Sequence, residues 1–97
     1  MPGQYFVYVL TNTYHSVLYT GVTNDLLGRV WRHRAGVGGK FTAKYACNKL
    51  VFYEVYLDPY NAIAREKQIK AGSRKKKLAL IEAMNPNWAD LYEGIIY

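Results

Sequence analysis

Cysteine occurs once in 97 residues, at Cys47. A single thiol excludes an intramolecular disulfide and any zinc site built on cysteines, and it fits a reducing cytoplasm. No apolar run approaches the length of a membrane span, and the N-terminus lacks the basic region of a signal peptide. A cytoplasmic protein with no membrane partner is therefore expected. Proline is scarce as well, at three residues against 51% apolar ones, which argues against a disordered chain. The most telling scarcity is positional. No lysine or arginine precedes Arg29, yet seven of the 13 fall between Arg65 and Lys77.

What is present points to one folding unit, residues 1–97, with a polyanionic partner. The length suits one domain with one core. A net charge of +6 favours nucleic acid, and the crowding of cations near the C-terminal half strengthens that reading. No repeat or linker interrupts the chain.

Gln4 to Leu10 is apolar at nearly every position, as in a strand buried on both faces. Thr11 to Ser16 is polar, and Val17 to Gly21 returns as a second strand, so the two form a hairpin. A helix follows from about Asp25, with Thr23, Asn24 or Asp25 as its N-cap and Leu26, Leu27 and Val30 as its apolar stripe. Gly36, Gly38 and Gly39 end regular structure, and Lys40 to Asn48 is a loop or a short helix. Leu50 to Leu57 is rich in β-branched and aromatic residues and makes a third strand. Asp58 and Pro59 start a helix that Gly72 ends after Ala71. Ser73 caps another, Arg74 to Met84, which Asn85 and Pro86 terminate. Trp88 to Tyr92 is expected to form a last turn. The order β-β-α-β-α-α predicts an α+β fold, a small, three-stranded, mainly antiparallel sheet flanked by helices.

Chemistry concentrates in Val17 to His33. The strand-to-helix turn brings Tyr19 and Gly21 near Arg29, and Arg29 and His33 are i, i+4 neighbours on the helix. An arginine and a histidine beside a tyrosine-bearing strand end suit a phosphate. A carboxylate joins them. On the helix from Pro59, Glu66 falls within a band of about 120° that also carries Ala62, Ile63 and Ile69. A charge on an apolar stripe is costly unless a cation or hydrogen-bond donors meet it. An ion pair with Arg29 or a lysine would satisfy it, and so would Mg²⁺, which takes one or two carboxylates together with water and phosphate oxygens.

These residues resemble the GIY-YIG nuclease family. Phe6-Val7-Tyr8 matches the first half of its signature with Phe in place of glycine, and Tyr19-Thr20-Gly21 matches the second. Arg29, His33 and Glu66 stand where the family's arginine, active-site histidine and metal-binding glutamate are expected. Some relatives, such as the nuclease domain of the excision-repair endonuclease, carry a lysine after the second glycine, where Val22 stands here. The chain looks most like the small stand-alone bacterial members.

The resemblance implies a metal-dependent endonuclease acting on DNA, single-stranded or branched, with RNA also open. Its cofactor would be Mg²⁺ or Mn²⁺ on Glu66. Tyr19 would take the proton of the attacking water, and Tyr8 would orient Tyr19 or that water. Arg29 would oppose charge on the phosphate. His33 is either a second phosphate ligand or an alternative proton carrier. Lys40, Lys44, Lys70, Arg74, Lys75, Lys76 and Lys77 are the expected nucleic-acid contacts, with Tyr45 beside Lys44 suited to stacking on unpaired bases. The rival readings are a nucleic-acid-binding module without turnover and a basic adaptor for an acidic protein. No feature of the sequence calls for a protein partner.

Overall fold

A computed structural model describes residues 3–95. The chain runs β1 (Tyr5–Thr11), β2 (Leu18–Thr23), α1 (Leu26–Arg34), α2 (Lys40–Lys44), β3 (Lys49–Tyr56), α3 (Pro59–Ala71) and α4 (Arg74–Met84), with a 3₁₀ turn over Leu91–Gly94. The fold is α+β, and its sheet is antiparallel throughout in the order β2-β1-β3. The most apolar strand, β1, takes the centre because only a central strand covered on both faces can bury six consecutive residues.

Side-chain alternation along β1 divides the core into two layers. Phe6, Tyr8 and Leu10 face α1, packing with Leu26, Val30, Cys47 and Leu50. Val7 and Val9 face the other way, onto Ala62 and Ile69 of α3 and Ile81 of α4. The helices thus lie on opposite sides of one thin sheet, and α1, with the C-terminal 3₁₀ segment, covers the face that carries the tyrosines.

Local signals set most boundaries. Asp58 accepts the Asn61 amide at 3.0 Å and Ser73 accepts that of Lys76 at 3.2 Å, so α3 and α4 begin and end where the sequence predicts. Among the three possible caps of α1, Asp25 is the one used, its carboxylate accepting the Gly28 amide at 3.1 Å. The second strand runs two residues past Gly21 because Val22 and Thr23 pair with Val7 and Phe6. Lys40 to Asn48 resolves into the short helix α2 and a loop.

The last turn lies later than expected, at Leu91–Gly94 rather than Trp88 to Tyr92. Asn85 is the cause. Its buried side chain donates to the carbonyls of Val51 and Ala89 and accepts the Ala89 amide, wrapping residues 86–89 around itself. Asp90 then caps the turn and also receives Arg34 at 2.8 Å, which ties the C-terminal segment to the end of α1.

Candidate active site

Tyr8 is the centre of the site. It sits mid-strand opposite Gly21 on β2 and Tyr53 on β3, and none of it is exposed. Its ring lies directly over Gly21: a Cβ there would stand 2.5 Å from the ring Cζ and the hydroxyl. Gly21 is needed for this close approach rather than for its backbone freedom. Gly21→Ala should therefore displace the Tyr8 ring and cost about 1–3 kcal/mol by overpacking. For a domain of this size that lowers Tm by at least about 4 °C, measured by thermal unfolding.

The Tyr8 hydroxyl meets His33 Nε2 at 3.2 Å, and His33 Nδ1 meets Thr42 Oγ1 at 2.8 Å. α1 turns Leu26, Val30 and His33 onto the sheet, an i, i+4, i+7 face, and leaves Leu27 only half-buried. The apolar stripe expected from the sequence is thus rotated, and the histidine belongs to it. His33 is 3% exposed, and both ring nitrogens are engaged by partners within the protein. Gly38 permits the arrangement, since a Cβ there would lie 2.6 Å from His33 Nδ1.

Tyr19 and Arg29 complete the cluster on the solvent side. The Tyr19 ring centroid is 5.5 Å from that of His33 and 6.3 Å from that of Tyr8, and both Tyr19 and Arg29 are half-buried. Burial pushes the Tyr8 phenol up to about 12, with Tyr19 and Glu66 adding to the rise, while the charge of the Arg29 guanidinium opposes it. Tyr8 is therefore a neutral phenol near pH 7. Burial also holds His33 below its ordinary value, and the charges of Arg29 and Arg32 lower it further, so its imidazole is neutral.

Glu66, on α3 across the sheet, lies close enough for its charge to act on Tyr8. Of its expected stripe, Ala62 and Ile69 are buried but Ile63 is 41% exposed, which puts Glu66 nearer the rim than the middle. Its side chain is 14% exposed and pairs with Lys70, one turn on, at 2.9 Å. Among the described residues no group of three or more His, Cys, Asp or Glu could cage a metal ion. One accessible carboxylate does suit Mg²⁺ or Mn²⁺ held jointly with water and phosphate oxygens.

The remaining cations fall into separate places. Lys40 and Lys44 stand on α2, on the tyrosine-bearing side, with Lys44 Nζ 5.3 Å from the centre of the Tyr45 ring. Phe41 links that aromatic to the site, 4.8 Å from Tyr45 and 6.0 Å from Tyr19 between centroids. Arg74 donates to the His15 carbonyl at 2.8 Å and braces the β1–β2 loop. Lys75 is exposed on α4, and Lys76 and Lys77 line a cleft of about 230 Å³ between α3 and α4 with Arg65 and Gln68. The α4 lysines belong to the sheet face opposite Tyr8. Thr42, Phe41 and Gly38 had no signal in the sequence, because nothing in their spacing relates them to His33.

An antiparallel sheet thus holds a buried phenol–imidazole pair beside Tyr19, with the charges of Arg29 and Glu66 near enough to act on it. The description "GIY-YIG catalytic domain" matches residues 4–79, and the chain belongs to the GIY-YIG family. That membership points to a nuclease and to a nucleic-acid substrate, and GIY-YIG nucleases generally depend on a divalent metal. The chain is similar to UPF0213 proteins of Staphylococcus aureus strains Mu3 and Mu50, at 40% identity over 78 residues, 80% of this chain and 94% of theirs. It is also similar to a UPF0213 protein of Bacillus halodurans solved by solution NMR, with 29% identity, a TM-score of 0.58, and coverage of 90% of this chain and 92% of that one.

Proposed function

We propose that the protein is an endonuclease that hydrolyses phosphodiester bonds in DNA, single-stranded or branched, with Mg²⁺ or Mn²⁺ held by Glu66. What supports this reading is the Tyr8–His33 hydrogen bond at 3.2 Å beside the Tyr19 ring, with Arg29 and Glu66 close enough for their charges to act on the Tyr8 phenol. Arg29 opposes the charge that grows on the phosphate, a preorganised electrostatic role. Tyr19, the more accessible phenol, takes the proton of the attacking water. Tyr8 and His33 lie behind it and hold the arrangement in place. The bound cation would polarise the phosphate and stabilise the leaving oxygen. The Tyr19–Phe41–Tyr45 series leads outward from the site, and Phe41 and Tyr45 are 45% and 39% exposed, which suits stacking of unpaired bases.

The Glu66–Lys70 ion pair favours a second reading, a nucleic-acid-binding module in which Glu66 serves only Lys70. Incubation with single-stranded, duplex and branched DNA and with RNA, with and without Mg²⁺, separates the two. Metal-dependent products support the nuclease, and binding without products supports the module.

Lys75, Lys76 and Lys77 are assigned to affinity, because α4 packs on the face opposite Tyr8. Each phosphate contact releases counterions, so the triple alanine variant should flatten the slope of log affinity against log salt by roughly two to three units. Single-turnover cleavage at saturating enzyme should be unchanged. A variant with wild-type affinity and slope would make the run a solvated helix face.

A further inference from the structure

The buried hydrogen bonds beneath the site run in one direction when Thr42 gives its proton to the Gly39 carbonyl, which also accepts the Ala43 amide at 3.1 Å. At one end stands Arg29, which carries only donors and lies close enough for its charge to act on the Tyr8 phenol. At the other stands the Gly39 carbonyl, which only accepts, with Thr42 Oγ1 donating to it at 3.4 Å. A threonine hydroxyl has one proton. Spent on Gly39, it leaves Thr42 an acceptor for His33 Nδ1–H at 2.8 Å. His33 is neutral, so Nε2 is bare and accepts the Tyr8 O–H at 3.2 Å. The Tyr8 oxygen then keeps its lone pairs free to accept, with the Arg29 charge acting on it. Tyr8, His33 and Thr42 are 0%, 3% and 2% exposed, so water does not interrupt the series.

We propose that Thr42 is a positioning residue: it holds His33 in the Nδ1–H tautomer, so that Tyr8 donates inward and presents an acceptor that orients the Arg29 guanidinium. The proposal rests on the nuclease reading for its kinetic part alone. Without the Thr42 hydroxyl, a proton on Nδ1 would be a buried donor with no acceptor, and an orphaned N–H is less tolerated than an orphaned lone pair. The proton moves to Nε2, Nε2–H donates to Tyr8, and the Tyr8 hydroxyl proton is driven outward toward Arg29. Donor then meets donor and the guanidinium shifts. Neither the fold nor the charge of the site changes.

Thr42→Val keeps the shape and removes the hydroxyl, and Thr42→Ser restores it. The His33 ring is observed by long-range ¹⁵N–¹H NMR at pH 7.5, and single-turnover cleavage of a single-stranded oligonucleotide is measured with Mg²⁺. Wild type and Thr42→Ser should show Nδ1–H. Thr42→Val should show Nε2–H with cleavage slowed about ten- to a hundredfold, as expected when a catalytic group is misplaced by a fraction of an ångström to an ångström. Thr42→Ser should recover most of the rate. A wild-type ring protonated on Nε2 overturns the proposal, as does an unchanged tautomer or an unchanged rate in Thr42→Val. Wild-type protein inert on every nucleic acid contradicts the nuclease reading and the kinetic part with it. The ring spectra then still decide whether Thr42 sets the tautomer. If Thr42→Val fails to fold, the Nε2 or Nδ1 assignment in wild type and Thr42→Ser decides it.

Discussion

Glu66→Gln is expected to abolish divalent-metal-dependent cleavage, lowering the single-turnover rate by about a thousandfold or more. The change is nearly isosteric, so the side chain still fits its place at the rim of α3. Only the negative charge is lost, and with it the electrostatic hold on a cation. A metal at a scissile phosphate supplies several kcal/mol of transition-state stabilisation, and each 1.4 kcal/mol or so is tenfold in rate. The fold should persist. The Glu66–Lys70 contact is an i, i+4 pair with a half-exposed lysine, and such pairs are worth about 0.3–0.5 kcal/mol. Thermal unfolding should therefore be nearly unchanged while titration with Mn²⁺ in the presence of uncleaved DNA weakens. Full activity in the glutamine variant would remove Glu66 from the metal site and leave it as the partner of Lys70.

Tyr19→Phe is expected to slow cleavage by roughly a hundredfold or more, the usual worth of a general base. The substitution removes one oxygen from a half-buried ring and keeps its contacts with Phe41 and His33. Stability should change by no more than about 1 kcal/mol, the value of one hydrogen bond. Arg29→Lys belongs to the same test. It keeps the charge but loses the planar fork that can hold two phosphate oxygens at once, so it too should be slow. Binding of uncleaved DNA should survive both changes, because other cations carry affinity. Single-turnover rates against pH decide the matter. If Tyr19→Phe keeps the wild-type rate and profile, Tyr19 is packing, and His33 becomes the better candidate for the proton acceptor.

The parts of this molecule that were legible in its sequence are those governed by near neighbours. Asp58-Pro59, Gly72, Ser73 and Asn85-Pro86 act within one helical turn, and α3 and α4 end at the residues these signals mark. With β1 and β2 paired so that Tyr8 stands opposite Gly21, strand alternation carries Tyr8, Tyr19 and Gly21 to one sheet face. Arg29 and His33 are spaced one turn apart, which brings them to the same end of that face. What could not be read depends on contacts between distant segments. The burial of His33 requires Thr42 and Gly38, which belong to a loop and a short helix that α1 does not specify. The displaced last turn follows from Asn85 reaching the Val51 carbonyl, 34 residues away in sequence. Local patterns also do not distinguish an apolar stripe from its rim, so Glu66 sits nearer solvent than the helical wheel suggests.

The most direct measurement of metal-dependent cleavage is a single-turnover assay on an end-labelled single-stranded DNA with saturating protein, with Mg²⁺ added, then withheld by chelation, then restored. Internal cuts are expected only while the cation is present, with recovery on restoring it, and none of this in Glu66→Gln at the same bound fraction. Cleavage that continues in chelator, or saturated binding with no cut in any metal, would contradict a Glu66-bound cation at the scissile phosphate.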